Sequence, residues 1–151
     1  MNMKNLRMEP SELQKHIYRM ARKEVRKHGY DEYIVWIKLE HPGHYKRMRH
    51  IATLVCQYYH IANRKVFSST RKQPFALVRQ IALYVLRKVY DYKYMNIGSA
   101  FDLNHATVFY SCKEIEKRMA IYQDFRGEIE MLINNVKNYV KNYDKKTSIK
   151  P

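Results

Sequence analysis

Leu77, Val78, Ile81, Ala82, Val85 and Val89 fall three and four residues apart. That interval lines one face of an α-helix and no single face of a strand. The same rhythm returns along most of the 151 residues. Only 4 Gly and 4 Pro interrupt it, too few to supply the turns of an all-β fold. The chain therefore reads as all-α, with a length that suits one core of ordinary size.

Ser11, Glu12, Leu13 and Gln14 form a capping-box pattern, which predicts a helix over 12–28 that Gly29 stops. Leu13, Ile17, Met20, Ala21 and Val25 make its apolar stripe; Lys15, Arg19, Arg22 and Arg26 make a basic one. Residues 31–40 fit a short helix, ended by His41, Pro42 and Gly43. Further helices are predicted over 44–59, 75–90, 95–101, 105–119 and 124–143. The connector from His60 to Pro74 carries one helical turn around Ile61, Val66 and Phe67. The expected organisation is an N-terminal helical extension over 1–49, a helix-turn-helix domain over 50–143, and a polar, frayed tail over 144–151.

The charge is strongly positive and local. Lys plus Arg number 29 and Asp plus Glu 14, a formal net charge of +15. Residues 61–90 hold seven basic residues (Arg64, Lys65, Arg71, Lys72, Arg79, Arg87 and Lys88) and no acid, whereas 91–120 are neutral. A field of that sign and size attracts a phosphate polymer or an anionic membrane. No apolar run is long enough for a membrane span, and Met1 to Pro10 lack the apolar segment of a signal peptide. A cytoplasmic protein with no membrane partner is expected.

Two predicted helices, 95–101 and 105–119, are joined by Asp102, Leu103 and Asn104, with the small residues Gly98, Ser99 and Ala100 beside the joint. This is the spacing of a helix-turn-helix. The first turn of its second helix would face base edges in the major groove. Asn104 is the expected N-cap, and His105, Ala106 and Thr107 the turn that reads bases. Arg79 and Arg87, two helical turns apart, would straddle phosphates. Arg71, in a flexible acid-free loop, would reach a narrow groove.

The runs Arg79-Gln80-Ile81-Ala82, Ile97-Gly98-Ser99-Ala100-Phe101, His105-Ala106-Thr107-Val108 and Cys112-Lys113-Glu114-Ile115-Glu116 resemble the C-terminal DNA-binding domain of the bacterial replication initiator DnaA. The resemblance covers roughly residues 50–135. It implies a helical bundle with a Trp-repressor-like helix-turn-helix, here with extra N-terminal helices. It also implies an arginine for the minor groove at Arg71, backbone and groove-edge contacts from Arg79, Gln80 and Arg87, and base readers at His105, Ala106 and Thr107. With Lys72 and Asn104 these complete the expected DNA-binding set. The family's Gly-Gly-Arg-Asp before the histidine is replaced by the shorter Asp102-Leu103-Asn104, and a threonine or serine by Ala106. An altered or relaxed sequence preference is implied.

Initiators of this kind carry an ATPase module. This sequence has no G-x-x-x-x-G-K-[ST] loop, so a free-standing domain that binds no nucleotide and needs no cofactor is expected. Cys56 and Cys112 lie on apolar stripes and read as buried free thiols. His41 and His44 have no further metal ligands nearby, so no metal is expected. No base-and-nucleophile set marks an enzyme. The expectation is a sequence-preferring double-stranded DNA-binding protein, replication-initiator-like or regulatory, with a phage or mobile-element origin among the possibilities. The alternative is a structural or protein-interaction module reusing the scaffold. A protein partner or a second copy could use helix 12–28.

Overall fold

The computed structural model describes residues 41–147. The helix expected over 12–28 and the segment 31–40 lie outside them, as do residues 148–151. The described residues form six helices and no strand: α1 (Pro42–Tyr58), α2 (Asn63–Val66), α3 (Phe75–Lys88), α4 (Tyr94–Phe101), α5 (His105–Ile121) and α6 (Gln123–Thr147). The all-α reading stands, with element limits close to those expected.

Each long helix forms because one stripe is apolar, and the stripes meet in a single core. Met48, Ile51 and Val55 of α1 face Val78, Ile81, Val85 and Leu86 of α3. Val108, Cys112 and Ile115 of α5 close the core from another side, and Ile129, Leu132, Val136 and Val140 of α6 close it from a third. Helix α3 lies between α1 and α5 and touches every described element except α6 closely. Both thiols are fully buried, and burial pushes each up to about 11.

Three details differ from expectation. Pro42 opens α1 two residues before the expected start at 44, because a proline at the first helical position lacks only an N–H that would have no helical partner there. The division drawn at residues 49 and 50 falls inside α1, whose residues on both sides share the core. Helix α6 continues through Asp144 to Thr147, where a frayed tail was expected.

The last point has a clear cause. Arg47 is 2% exposed, and its Nε and Nη2 donate to the two Asp144 carboxylate oxygens at 2.8 and 2.9 Å. Its Nη1 donates to the Tyr92 hydroxyl at 2.9 Å. Its guanidinium also lies over the Tyr90 and Tyr92 rings. A buried charge needs such full pairing. Burial alone would pull the Arg47 pKa down; the bonds to Asp144 and Tyr92 outweigh that and raise it. His50 stacks on Tyr143 with ring centroids 4.3 Å apart. Together these contacts fasten the end of α6 to α1.

Candidate nucleic-acid interface

Helices α4 and α5 form the helix-turn-helix, and its joint is set by backbone geometry. Asp102 sits in the left-handed region (φ 55°, ψ 40°) and its N–H donates to the Gly98 carbonyl. The Leu103 N–H donates to the same carbonyl at 2.8 Å, so the chain reverses within one turn. Gly98 is required here: a Cβ at that position would lie 2.5 Å from the Leu103 carbonyl oxygen. Asn104 then caps α5, its side chain accepting the Ala106 N–H at 2.8 Å.

The start of α5 faces solvent. His105 and Thr107 are exposed and Ala106 half-buried, while Val108 behind them is fully buried. Helix α5 therefore offers its first turn and the N-terminal end of its dipole outward. Leu103 and Phe101 pack inward and line a small cavity of about 20 Å³ together with Val66, Phe67, Ser68, Arg79, Ala82 and Leu83. That seam brings the basic connector beside the turn.

The connector is organised rather than flexible. The Arg79 guanidinium donates from Nε to the Val66 carbonyl at 2.6 Å, from Nη1 to Thr70 at 2.9 Å, and from Nη2 to Ser68. Burial lowers the Arg79 pKa. The Ser68 hydroxyl donates to the Lys65 carbonyl at 2.6 Å, and the Lys72 N–H reaches the Thr70 hydroxyl at 3.2 Å. Arg71 and Lys72 project from this scaffold, both exposed. Arg79 thus spends three of its five N–H donors on the loop. It holds the loop in shape, a role the sequence did not suggest, and two N–H donors remain.

Arg87 also has partners of its own. At the far end of α3, its Nη1 donates to the Tyr92 carbonyl at 3.2 Å and to Asp91 at 3.4 Å. The guanidinium lies over the Tyr94 ring at 4.7 Å, and Tyr94 meets Phe109 edge-on at 5.5 Å. Arg71, Lys72 and Arg79 therefore gather at one end of α3, and Arg87 flanks α5 from the other. Gln80 is half-buried on α3.

Arg49, which the sequence reading had not singled out, also belongs here. The Arg49 guanidinium lies over Phe67 at 4.4 Å and Phe101 at 5.2 Å, and donates to the Ala100 carbonyl at 3.4 Å. It bridges the connector and the turn. In the sequence it is one of three close cations, Lys46, Arg47 and Arg49, and nothing local sets it apart. Arg64, Lys65 and Lys72 line an open groove of about 430 Å³ with Ser68, Thr70 and Phe75. Among the described residues no group of three or more His, Cys, Asp or Glu could hold a metal ion. None of their helices is long and apolar enough to cross a membrane.

Comparison with known proteins places this geometry. Residues 48–115 match the family model described as bacterial DnaA protein helix-turn-helix. The chain is similar to the chromosomal replication initiator protein DnaA of Onion yellows phytoplasma, 28% identical over 86 residues, which cover 57% of this chain and 17% of that protein. DnaA 1 of Protochlamydia amoebophila is 33% identical over 70 residues, 46% of this chain and 16% of the relative. The Synechocystis protein is 36% identical over 66 residues, 43% and 15% respectively. The chain spans less than a fifth of the length of these relatives.

Proposed function

We propose, from the premise that residues 48–115 are a DnaA-type helix-turn-helix, that the chain binds double-stranded DNA in a replication-initiator-like or regulatory role in the cytoplasm. One observation carries the reading: an exposed, Asn104-capped start of α5 lies across a packed seam from an acid-free basic loop held in shape by Arg79. In this reading the first turn of α5 enters the major groove, where His105 and Thr107 meet base edges and Ala106 a thymine methyl. Arg71 and Lys72 reach the adjacent backbone and minor groove, and Gln80 and Arg87 contact phosphates on either flank.

Sequence preference belongs to the same reading. Asp102, Leu103 and Asn104 supply one acid, one apolar side chain and a cap that is already engaged with Ala106. Readout then falls on His105 and Thr107, and a shifted or relaxed site follows. Selection of duplexes from a random pool tests this directly. An enriched motif that weakens in Thr107→Ala supports base reading by α5. With roughly five phosphate contacts, log affinity should fall with log salt at a slope of about −4 to −5. No binding to any duplex at low salt would remove the proposal. Exposed Ile121, Tyr122 and Met131 around the α5–α6 junction favour a second reading as a protein-interaction module, which that negative result would promote.

A further inference from the structure

Helix α6 lies beyond the matched segment 48–115, and its second half is unusual in charge. From Met131 to Thr147 it carries Lys137, Lys141, Lys145 and Lys146 and a single acid, Asp144. Both oxygens of that carboxylate are taken by buried Arg47, so Asp144 is withdrawn from the lysines beside it. Lys137, Lys141 and Lys145 are exposed and form no ion pair with any described residue. Several other cations pair: Lys88 and Lys113 with Glu116, Arg118 with Glu114, Arg126 with Glu130; Lys46, Lys93 and Lys117 do not pair with a described residue, but they stand singly rather than in a row.

The three lysines recur every four residues, so they stand about 6 Å apart in a row. They border an open groove of about 530 Å³, which Val89 and Tyr90 line from the end of α3. The Tyr90 hydroxyl is buried without a hydrogen-bond partner. Asn138 and Asn142 sit on the same outward stripe, exposed, and amides are common phosphate ligands. Ile129, Leu132, Val136 and Val140 of α6 are committed to the core, and only Met131 and Tyr139 remain as large exposed apolar side chains on the helix, too few for a face that lies in a bilayer.

We infer that this lysine ridge on α6 is a second binding surface for the phosphate backbone of duplex DNA. This rests on the reading of the chain as a duplex-binding protein. Duplex DNA carries about one negative charge per 1.7 Å of axis, so a row of lysines this long faces several phosphates. The ridge and the basic loop of the first surface lie at opposite ends of α3: Phe75 borders the loop and Tyr90 borders the ridge. The fourteen residues of α3 separate them by about 20 Å. A duplex contacting both surfaces would have to be long or bent around the bundle.

The test uses the full chain and its Lys137→Gln/Lys141→Gln/Lys145→Gln variant. Anisotropy is measured on a duplex of about 40 base pairs, roughly four helical turns, between about 50 and 200 mM salt. The variant should bind more weakly, with a salt slope shallower by about 2.7. Lys141→Gln alone should show about a third of that change and serves if the triple variant loses its helical signal. Equal slopes for wild type and variants would overturn the inference while leaving the helix-turn-helix reading intact. So would ridge-dependent binding to phosphatidylserine vesicles without ridge-dependent binding to duplex. Failure of the wild type to bind duplex at all would remove both readings.

Discussion

Gly98 illustrates how a single backbone atom can dictate a residue. The Leu103 carbonyl occupies the space where any side chain at 98 would begin. Gly98→Ala must open the turn or shift α4, and overpacking of this kind costs about 1–3 kcal/mol. The variant should melt at lower temperature and lose duplex affinity together, because the same turn aims α5. A variant as stable as the wild type would show that the turn can yield. Arg79 makes a different case. A lysine there keeps the charge but offers one compact ammonium in place of a planar fork, so it cannot reach three carbonyls at once. Arg79→Lys should speed amide exchange across residues 66–72 and weaken DNA binding while the salt slope stays nearly unchanged. A slope shallower by about one would instead mark Arg79 as a direct phosphate ligand.

At the scale of elements, the long-range pairings are where prediction and structure part. Helices α3, α4 and α5 were legible because their apolar stripes, the cap at Asn104 and the three-residue joint are all local signals. The end of α6 was not legible: Asp144 has its partner 97 positions earlier in the chain, and nothing near Tyr143 announces it. The state of the connector was hidden for a similar reason. The Arg79 partners are backbone carbonyls, which every sequence possesses, so a loop that looked flexible is held. The docking of α6 gives a direct prediction. Asp144→Asn keeps the shape but leaves buried Arg47 without its counter-charge, a loss of about 3 kcal/mol at the lower end for a broken buried pair. That lower end is apt because Asp144 is 19% exposed. Urea unfolding should register the loss, and amide exchange should show it concentrated in residues 136–147. An unchanged midpoint would mean that the Tyr143 and Val140 contacts hold α6 without the ion pair.

For the molecule as a whole, charge is arranged around a core that tolerates very little of it. The basic loop and the lysine ridge border the two ends of α3, while the seam between α1 and α6 holds the buried pair and two histidines. Burial holds the His44 pKa below its ordinary value of 6.5, with Arg47 and His41 adding to the effect and Asp144 opposing it. Burial does the same for His50, again with Asp144 opposing. The sign follows from proton uptake. Below pH 6.5 the unfolded chain gains protons that the folded chain does not, so stability is complete above that value and declines as pH falls beneath it. The fall comes well before Glu116, which its hydrogen bond to Lys88 keeps charged to below the ordinary carboxylate value; that contribution is lost only in stronger acid. Melting temperatures at about pH 7.5 and about pH 5.5 should therefore show a clear drop, with α6 loosening first. His44 Nδ1 lies 2.9 Å from the Tyr92 hydroxyl that Arg47 also uses, so protonating it places a second cation beside the guanidinium that fastens α6. Replacing both histidines with glutamine should flatten the dependence across that interval while leaving the loss in stronger acid in place. A variant whose melting temperature still falls between the same two pH values would locate the sensitivity outside the α1–α6 seam.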